Sequence, residues 1–232
     1  MSTRMTRMLV LFVALSVTLL LAGCPAPTPS DPTAMPATAS PTAVPATPTP
    51  DGWTEHESGD VTIWLPNDWE VLALSQGDLQ AIFSEFQKTN PELAKIIGSA
   101  EALQGVALWA FRSSDADSAL ADNLNIRRSP LGDQKITVME DILPAISDQY
   151  RQLGFELGLT ETDLEIGGYP AAYITYSYPV ALADGANTKL SGSQYLVATP
   201  ADLWVLSYSA APGSEDVMKP VFEQSAQSFR VK

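Results

Sequence analysis

The chain has 232 residues, 13 of them basic and 27 acidic, for a formal net charge of −14. A polymer this acidic is repelled by nucleic acid and by anionic lipid headgroups, which excludes both as partners held by charge. A single cysteine and a single histidine leave no disulfide and no ordinary zinc site to build.

Arg4 and Arg7 are followed by a charge-free run from Met8 to Gly23, and small Ala22 and Gly23 precede Cys24. That order is the pattern of a secretory signal. Its 16 uncharged residues fall short of the ~20 that a membrane-spanning helix needs. Leu21-Ala22-Gly23-Cys24 resembles the lipobox of bacterial lipoproteins. The resemblance implies cleavage before Cys24, a diacylglyceryl group on its thiol, and an outward-facing, extracytoplasmic protein anchored in the cell membrane. Two acyl chains hold a protein stably where one holds it marginally. Pro25 stands where the aspartate that marks inner-membrane retention would be in that family. Removal of residues 1–23 takes two of the 13 basic residues and none of the 27 acidic ones, leaving a net charge of −16.

Residues 24–50 form the tether. Pro25 to Pro50 contains nine prolines, six threonines and six alanines, with Asp31 its only charge. Such a segment cannot bury a core, and its prolines favour an extended path of up to roughly 80 Å. The remaining residues, 51–232, are long enough for one domain with its own core.

In that domain Trp53 to Glu57 and Val61 to Leu65 read as strands joined by a turn at Gly59, and Trp69 to Leu74 as a third, making a small meander. Leu79, Ile82, Phe83 and Phe86 have helical spacing, and Pro91 opens a second helix bearing Leu93, Ile96, Ile97 and Ala100. Together Ser75 to Leu103 form a helical insertion. Val106 to Phe111 and Asn123 to Arg128 are strands. Met139, Ile142, Leu143, Ile146, Tyr150 and Leu153 predict a helix over 136–153, kinked at Pro144. Leu164 to Ile166, the turn Gly167-Gly168, and Ala171 to Val180 read as a hairpin. Leu190 to Thr199 and Leu203 to Ala210 are further strands, and a helix from Ser214 to Ser228 closes the chain, with an irregular first turn at Pro220. Strands, helices, more strands and a last helix predict an α+β domain on a mainly antiparallel sheet flanked by helices.

Val61-Thr62-Ile63-Trp64-Leu65-Pro66 with Asp68-Trp69, Gly167-Gly168-Tyr169-Pro170-Ala171-Ala172-Tyr173, Gln194-Tyr195-Leu196-Val197 with Trp204-Val205-Leu206-Ser207-Tyr208, and the closing Val221-Phe222 and Ser228-Phe229-Arg230-Val231 occur in one order. In order and spacing they resemble the PsbP-like superfamily. The resemblance implies an α-β-α sandwich over most of residues 52–231 and a binding or assembly role without catalysis. Histidine and carboxylate residues implicated in metal or partner binding in the photosystem branch have little counterpart here, where His56 stands alone.

No GxSxG, HExxH, P-loop or dinucleotide fingerprint occurs, and His56, between Glu55 and Glu57 on a short strand, reads as a surface histidine. Asp115, Asp117 and Asp122 invite a calcium loop, but Leu120 and Ile126 occupy the positions that need glycine and glutamate. Glu161, Asp163 and Glu165 alternate, so an extended strand would put them on one face, either as a solvated edge or as hydrolase carboxylates. Tyr169, Tyr173, Tyr176, Tyr178, Tyr195 and Tyr208 favour core packing over a ligand cleft. The expectation is a non-catalytic binding or assembly lipoprotein, attached to the membrane through Cys24, with a protein partner, no nucleic acid, no cofactor and no metal. The alternatives are a small-molecule or lipid carrier with a pocket between the sheet and the inserted helices, and a hydrolase using the acidic residues.

Overall fold

A computed structural model describes residues 48–73, 84, 105–115, 121–181 and 187–232. The signal, Cys24, most of the tether, nearly all of the insertion from Ser75 to Leu103, and Asp117 lie outside the described residues.

Among the described residues, ten strands form two antiparallel sheets. The small sheet holds β1 (Trp53–Ser58), β2 (Val61–Pro66) and β10 (Arg230–Val231), in the order β1-β2-β10. The large sheet holds β3 (Trp69–Ala73), β4 (Val106–Arg112), β5 (Asn123–Pro130), β6 (Glu156–Ile166), β7 (Tyr169–Ala181), β8 (Asn187–Ala198) and β9 (Asp202–Ala210). Its order is β3-β4-β5-β9-β8-β7-β6. Helix α1 (Leu143–Gln152) covers one face and α2 (Glu215–Gln227) the other. This is the α+β architecture, with a helix on each side of an antiparallel sheet, that the sequence predicts.

Alternation along the strands sorts the core into two layers. Ala172, Ile174, Tyr176, Leu196, Leu203 and Val205 meet Met139, Leu143, Ile146 and Tyr150 on the α1 side. Ala171, Tyr173, Tyr195, Leu206 and Tyr208 face α2, whose Met218, Phe222 and Ala226 fall on one helical stripe. Phe222 stacks on Tyr208 at 4.8 Å between ring centroids and meets Trp69 edge-on at 6.3 Å. Burying each such large apolar side chain contributes about 1.5–3 kcal/mol. The small sheet joins this second layer through Val61, Ile63 and Leu65, the buried half of β2.

Four expectations change. The opening is a hairpin rather than a meander: after the turn at Asn67-Asp68, β3 crosses to the large sheet and pairs with β4, and β10 takes the free edge of β2. The kinked helix resolves into a 3-10 turn, Met139–Asp141, and a straight α1 that begins at Leu143. Pro144 then falls in the first turn, where its missing N–H leaves no gap. Strand β6 starts eight residues before Leu164, because an edge strand exposed on both sides carries no apolar alternation to announce it. Pro220 lies inside α2, on its exposed side.

One turn depends on a pair of glycines. Gly167 and Gly168, at φ +63° and +84°, form the two-residue link between β6 and β7, a backbone shape that side-chain-bearing residues resist.

Candidate functional site

The α2-facing positions of β7 and β8 change character along the strands. Their registered pairs run Ala171 with Val197, Tyr173 with Tyr195, Thr175 with Ser193, and Ser177 with Ser191. The first pairs are buried in the core, and the last are hydroxyls. The opposite face of the same strands stays mostly apolar, with Ala172, Ile174 and Tyr176 buried in the α1 layer. The sheet thus turns polar where α2 ceases to cover it, and an open groove of about 340 Å³ lies there. Thr175, Ser177, Ser191 and Ser193 line its floor, and Glu215, Asp216, Lys219 and Phe222 of α2 line one wall.

Strand β6 supplies the other wall, and it is shaped by two bulges. Between Leu157 and Thr160, and again between Glu161 and Leu164, one extra residue is inserted against β7. The first bulge is held by Thr175, whose hydroxyl accepts from the Leu159 N–H at 2.7 Å. A Cβ on Gly158 would stand 2.5 Å from the Thr175 hydroxyl, so only glycine admits that contact. The second bulge breaks the acidic row. Glu161 stands opposite Tyr173 and Glu165 opposite Pro170, positions of opposite parity on β7 and therefore on opposite faces of the sheet. Glu161 therefore does not share a face with Glu165, and the row of three that the alternation predicts is broken.

Glu161 stands opposite Tyr173, on the α2-facing side of the sheet. The Tyr173 phenol is raised above its ordinary pKa chiefly by burial; Ser193 beside it acts the other way, and Glu161 and Glu223 add to the rise. The Tyr195 phenol is raised by burial first, then by Tyr173, Glu223 and Glu161. The two tyrosine rings pack together, with centroids 4.7 Å apart. At the far end Glu156 is paired with Lys189 at 2.5 Å.

The remaining candidates take structural positions. Tyr176 and Tyr208 are buried, as core packing predicts, and the Tyr208 hydroxyl donates to Ser225 at 3.0 Å. Tyr176 covers Gly192, where a Cβ would stand 2.5 Å from the ring. His56 is half-buried on β1, away from the groove, and burial lowers its pKa. Asp122 is fully buried and accepts from Arg112 Nη1 at 2.8 Å, the Ala211 N–H at 2.7 Å and the Ser214 hydroxyl at 2.5 Å. It fastens the start of α2 to β4 and β5. Among the described residues no group of three or more histidine, cysteine, aspartate or glutamate side chains could hold a metal ion.

The groove was not anticipated from sequence, though its signal was there: Thr175, Ser177, Ser191 and Ser193 interrupt a face that is otherwise aromatic and aliphatic. The pocket expected beside the inserted helices lies outside the described residues.

The chain is thus an α+β protein with an antiparallel sheet between helices and an open groove, lined in part by hydroxyl side chains, on one face. No protein-family model matches it, and no curated protein is significantly similar in sequence. Among solved structures it is similar to cyanobacterial PsbP (CyanoP) of Synechocystis sp. PCC 6803, with 15% identity and a TM-score of 0.45 over 82% of this chain and 98% of that one. It is also similar to LpqN of Mycobacterium tuberculosis, described as involved in cell envelope biogenesis, with 15% identity and a TM-score of 0.47 over 78% and 90%. A Pseudomonas aeruginosa protein of unknown function, PA94, shares 11% identity with a TM-score of 0.40 over 76% and 94%.

Proposed function

We propose that this chain is a non-catalytic, extracytoplasmic binding lipoprotein, tethered to the membrane through lipid on Cys24, that engages a protein partner in the groove between α2 and β6. The lipobox-like Leu21 to Cys24 and the proline-rich tether support the location. The observation that carries the binding role is the groove itself. A carrier of small apolar molecules encloses its cargo in a mostly apolar cavity. Here the groove is open rather than enclosing, and the hydroxyls of Thr175, Ser177, Ser191 and Ser193 stand among apolar neighbours such as Leu157 and Phe222, a mixture that suits the surface and backbone of another protein.

The test is a photo-reactive amino acid at Ser177 in the full chain, expressed in its own host and irradiated in intact cells. A protein adduct of defined mass, lost when the label is moved to exposed Asp133, supports the reading. Irradiation that yields no protein adduct at Ser177 overturns it.

A further inference from the structure

We infer that Leu159, held at the rim of the groove by a strand bulge, is the residue on which the partner seats an aliphatic or aromatic side chain. The inference rests on the binding role proposed above and names the chemistry of the partner's contact. Leu159 is 51% exposed and directly follows Glu156, Leu157 and Gly158, which line the groove. A leucine on the surface needs no explanation by itself. The placement of this one does, because three features combine to produce it.

Leu157 and Thr160 stand opposite Tyr176 and Ile174, both of which face α1. Strict alternation after Leu157 would return Leu159 to that same face. The bulge instead leaves Gly158 and Leu159 together opposite Thr175, a groove residue, and so turns Leu159 to the groove side. Thr175 fixes this shape, since its hydroxyl accepts from the Leu159 N–H at 2.7 Å and donates to the Leu159 carbonyl at 3.4 Å. Gly158 completes it, because a Cβ there would lie 2.5 Å from the same hydroxyl. An inserted residue, a glycine and a threonine thus act together to hold one leucine out in solvent beside the groove.

The surroundings decide what Leu159 meets. A groove of about 340 Å³ accommodates a large side chain with part of its backbone. Leu157 and Phe222 give it apolar surface beside the hydroxyls of Ser177 and Ser191, so an apolar side chain and the polar backbone that carries it both find a match. A second copy of this chain is a poor occupant. Strand β6 also carries Glu156, Glu161, Asp163 and Glu165, and two such strands brought together would set like charges against each other. A free lipid chain is a poor occupant too, since it needs an enclosing apolar cavity and this groove is open. The occupant is therefore a segment of a different protein with an apolar side chain at the contact.

The test titrates N-acetyl-phenylalaninamide, an uncharged apolar side chain on a capped backbone, into the isotope-labelled full chain in uncharged detergent micelles and follows the backbone amides by NMR. Saturable shifts at Leu159 and Ser191 are expected. Leu159→Asn should weaken binding at least about fivefold, while Leu159→Met, which keeps an apolar side chain, should stay within about twofold of wild type. Val217→Asn, at a position 68% exposed that does not line the groove, should also stay within about twofold. Wild-type protein without saturable shifts overturns the inference, as does equal weakening by Leu159→Asn and Val217→Asn. The same variants in the Ser177 crosslinking experiment separate this inference from the binding role. A protein adduct that persists undiminished in Leu159→Asn leaves the binding role standing and removes Leu159 from it. Leu159-dependent binding of the amide without any protein adduct does the reverse.

Discussion

Replacing Asp122 by alanine tests whether one buried carboxylate holds α2 on the sheet. The side chain is 0% exposed and accepts three hydrogen bonds, from Arg112, Ala211 and Ser214. Hydrogen bonds to a charged group contribute about 1.5–3 kcal/mol, and removing one partner of a buried ion pair costs about 3–5 kcal/mol. Arg112 moderates that figure, because its side chain is 32% exposed and also reaches Asp68 at 3.5 Å. The guanidinium can turn to water, whereas the Ala211 amide and the Ser214 hydroxyl lose a shared acceptor. Asp122→Ala should therefore destabilise the protein by about 3 kcal/mol, the lower end of the buried-pair range. Asp122→Asn keeps an acceptor oxygen and loses the charge, so about half that loss is expected. Equilibrium urea denaturation followed by tryptophan fluorescence measures both, with the slope checked for constancy. A loss below about 1 kcal/mol for alanine, or equal losses for alanine and asparagine, would refute the account of Asp122 as a charged anchor. Adding Arg112→Met to the alanine variant should then cost little more, since the two residues share one interaction.

Gly192→Val should lower the melting temperature and disturb the near-ultraviolet signal of tyrosine, because the new side chain meets the Tyr176 ring at 2.5 Å; the expected loss is about 1–3 kcal/mol. Thr175→Val keeps the shape of the groove floor but removes the acceptor of the Leu159 amide, and faster hydrogen exchange at Leu159 is the readout. His56 is the chain's only histidine, and burial lowers its pKa from 6.5, so the unfolded state binds its proton more readily than the folded one. Its contribution is present above pH 6.5 and is lost as the pH falls from there through the lower folded value; an NMR titration of the single imidazole should give a midpoint below 6.5. Cys24→Ser should leave the chain unacylated and move it from the membrane to the soluble fraction, detected by fractionation and immunoblotting.

Much of the strand pattern could be read from residue order, because a strand that buries one face declares itself by alternation. β2 does so with Val61, Ile63 and Leu65, and β7 with Ile174 and Tyr176. The turn at Gly167-Gly168 was equally legible, since its positive φ angles demand a residue without a Cβ. Strand β6 was underestimated for the converse reason. As an edge strand it buries little, so Glu156 to Asp163 show no periodicity that differs from a loop.

The candidate site was hidden for a different reason. Its floor comes from β7 and β8 and its walls from β6 and α2, so Thr175, Ser193, Gly158 and Glu215 have no common motif and meet only through strand pairing and helix docking. The acidic row of β6 shows how local inference breaks: period-two alternation places Glu161 and Glu165 together, and one inserted residue at a bulge, a product of pairing with β7, sends them to opposite faces. Sequence alone determined the proline-rich composition of residues 25–50, the charge and the α+β class, because these depend on composition and short-range periodicity. Tertiary structure decided that β3 leaves its hairpin neighbours, that β10 closes the small sheet, that Asp122 is an anchor, and that a groove opens between α2 and β6. Each of those depends on which surfaces meet across long stretches of chain, and no local run of residues encodes that.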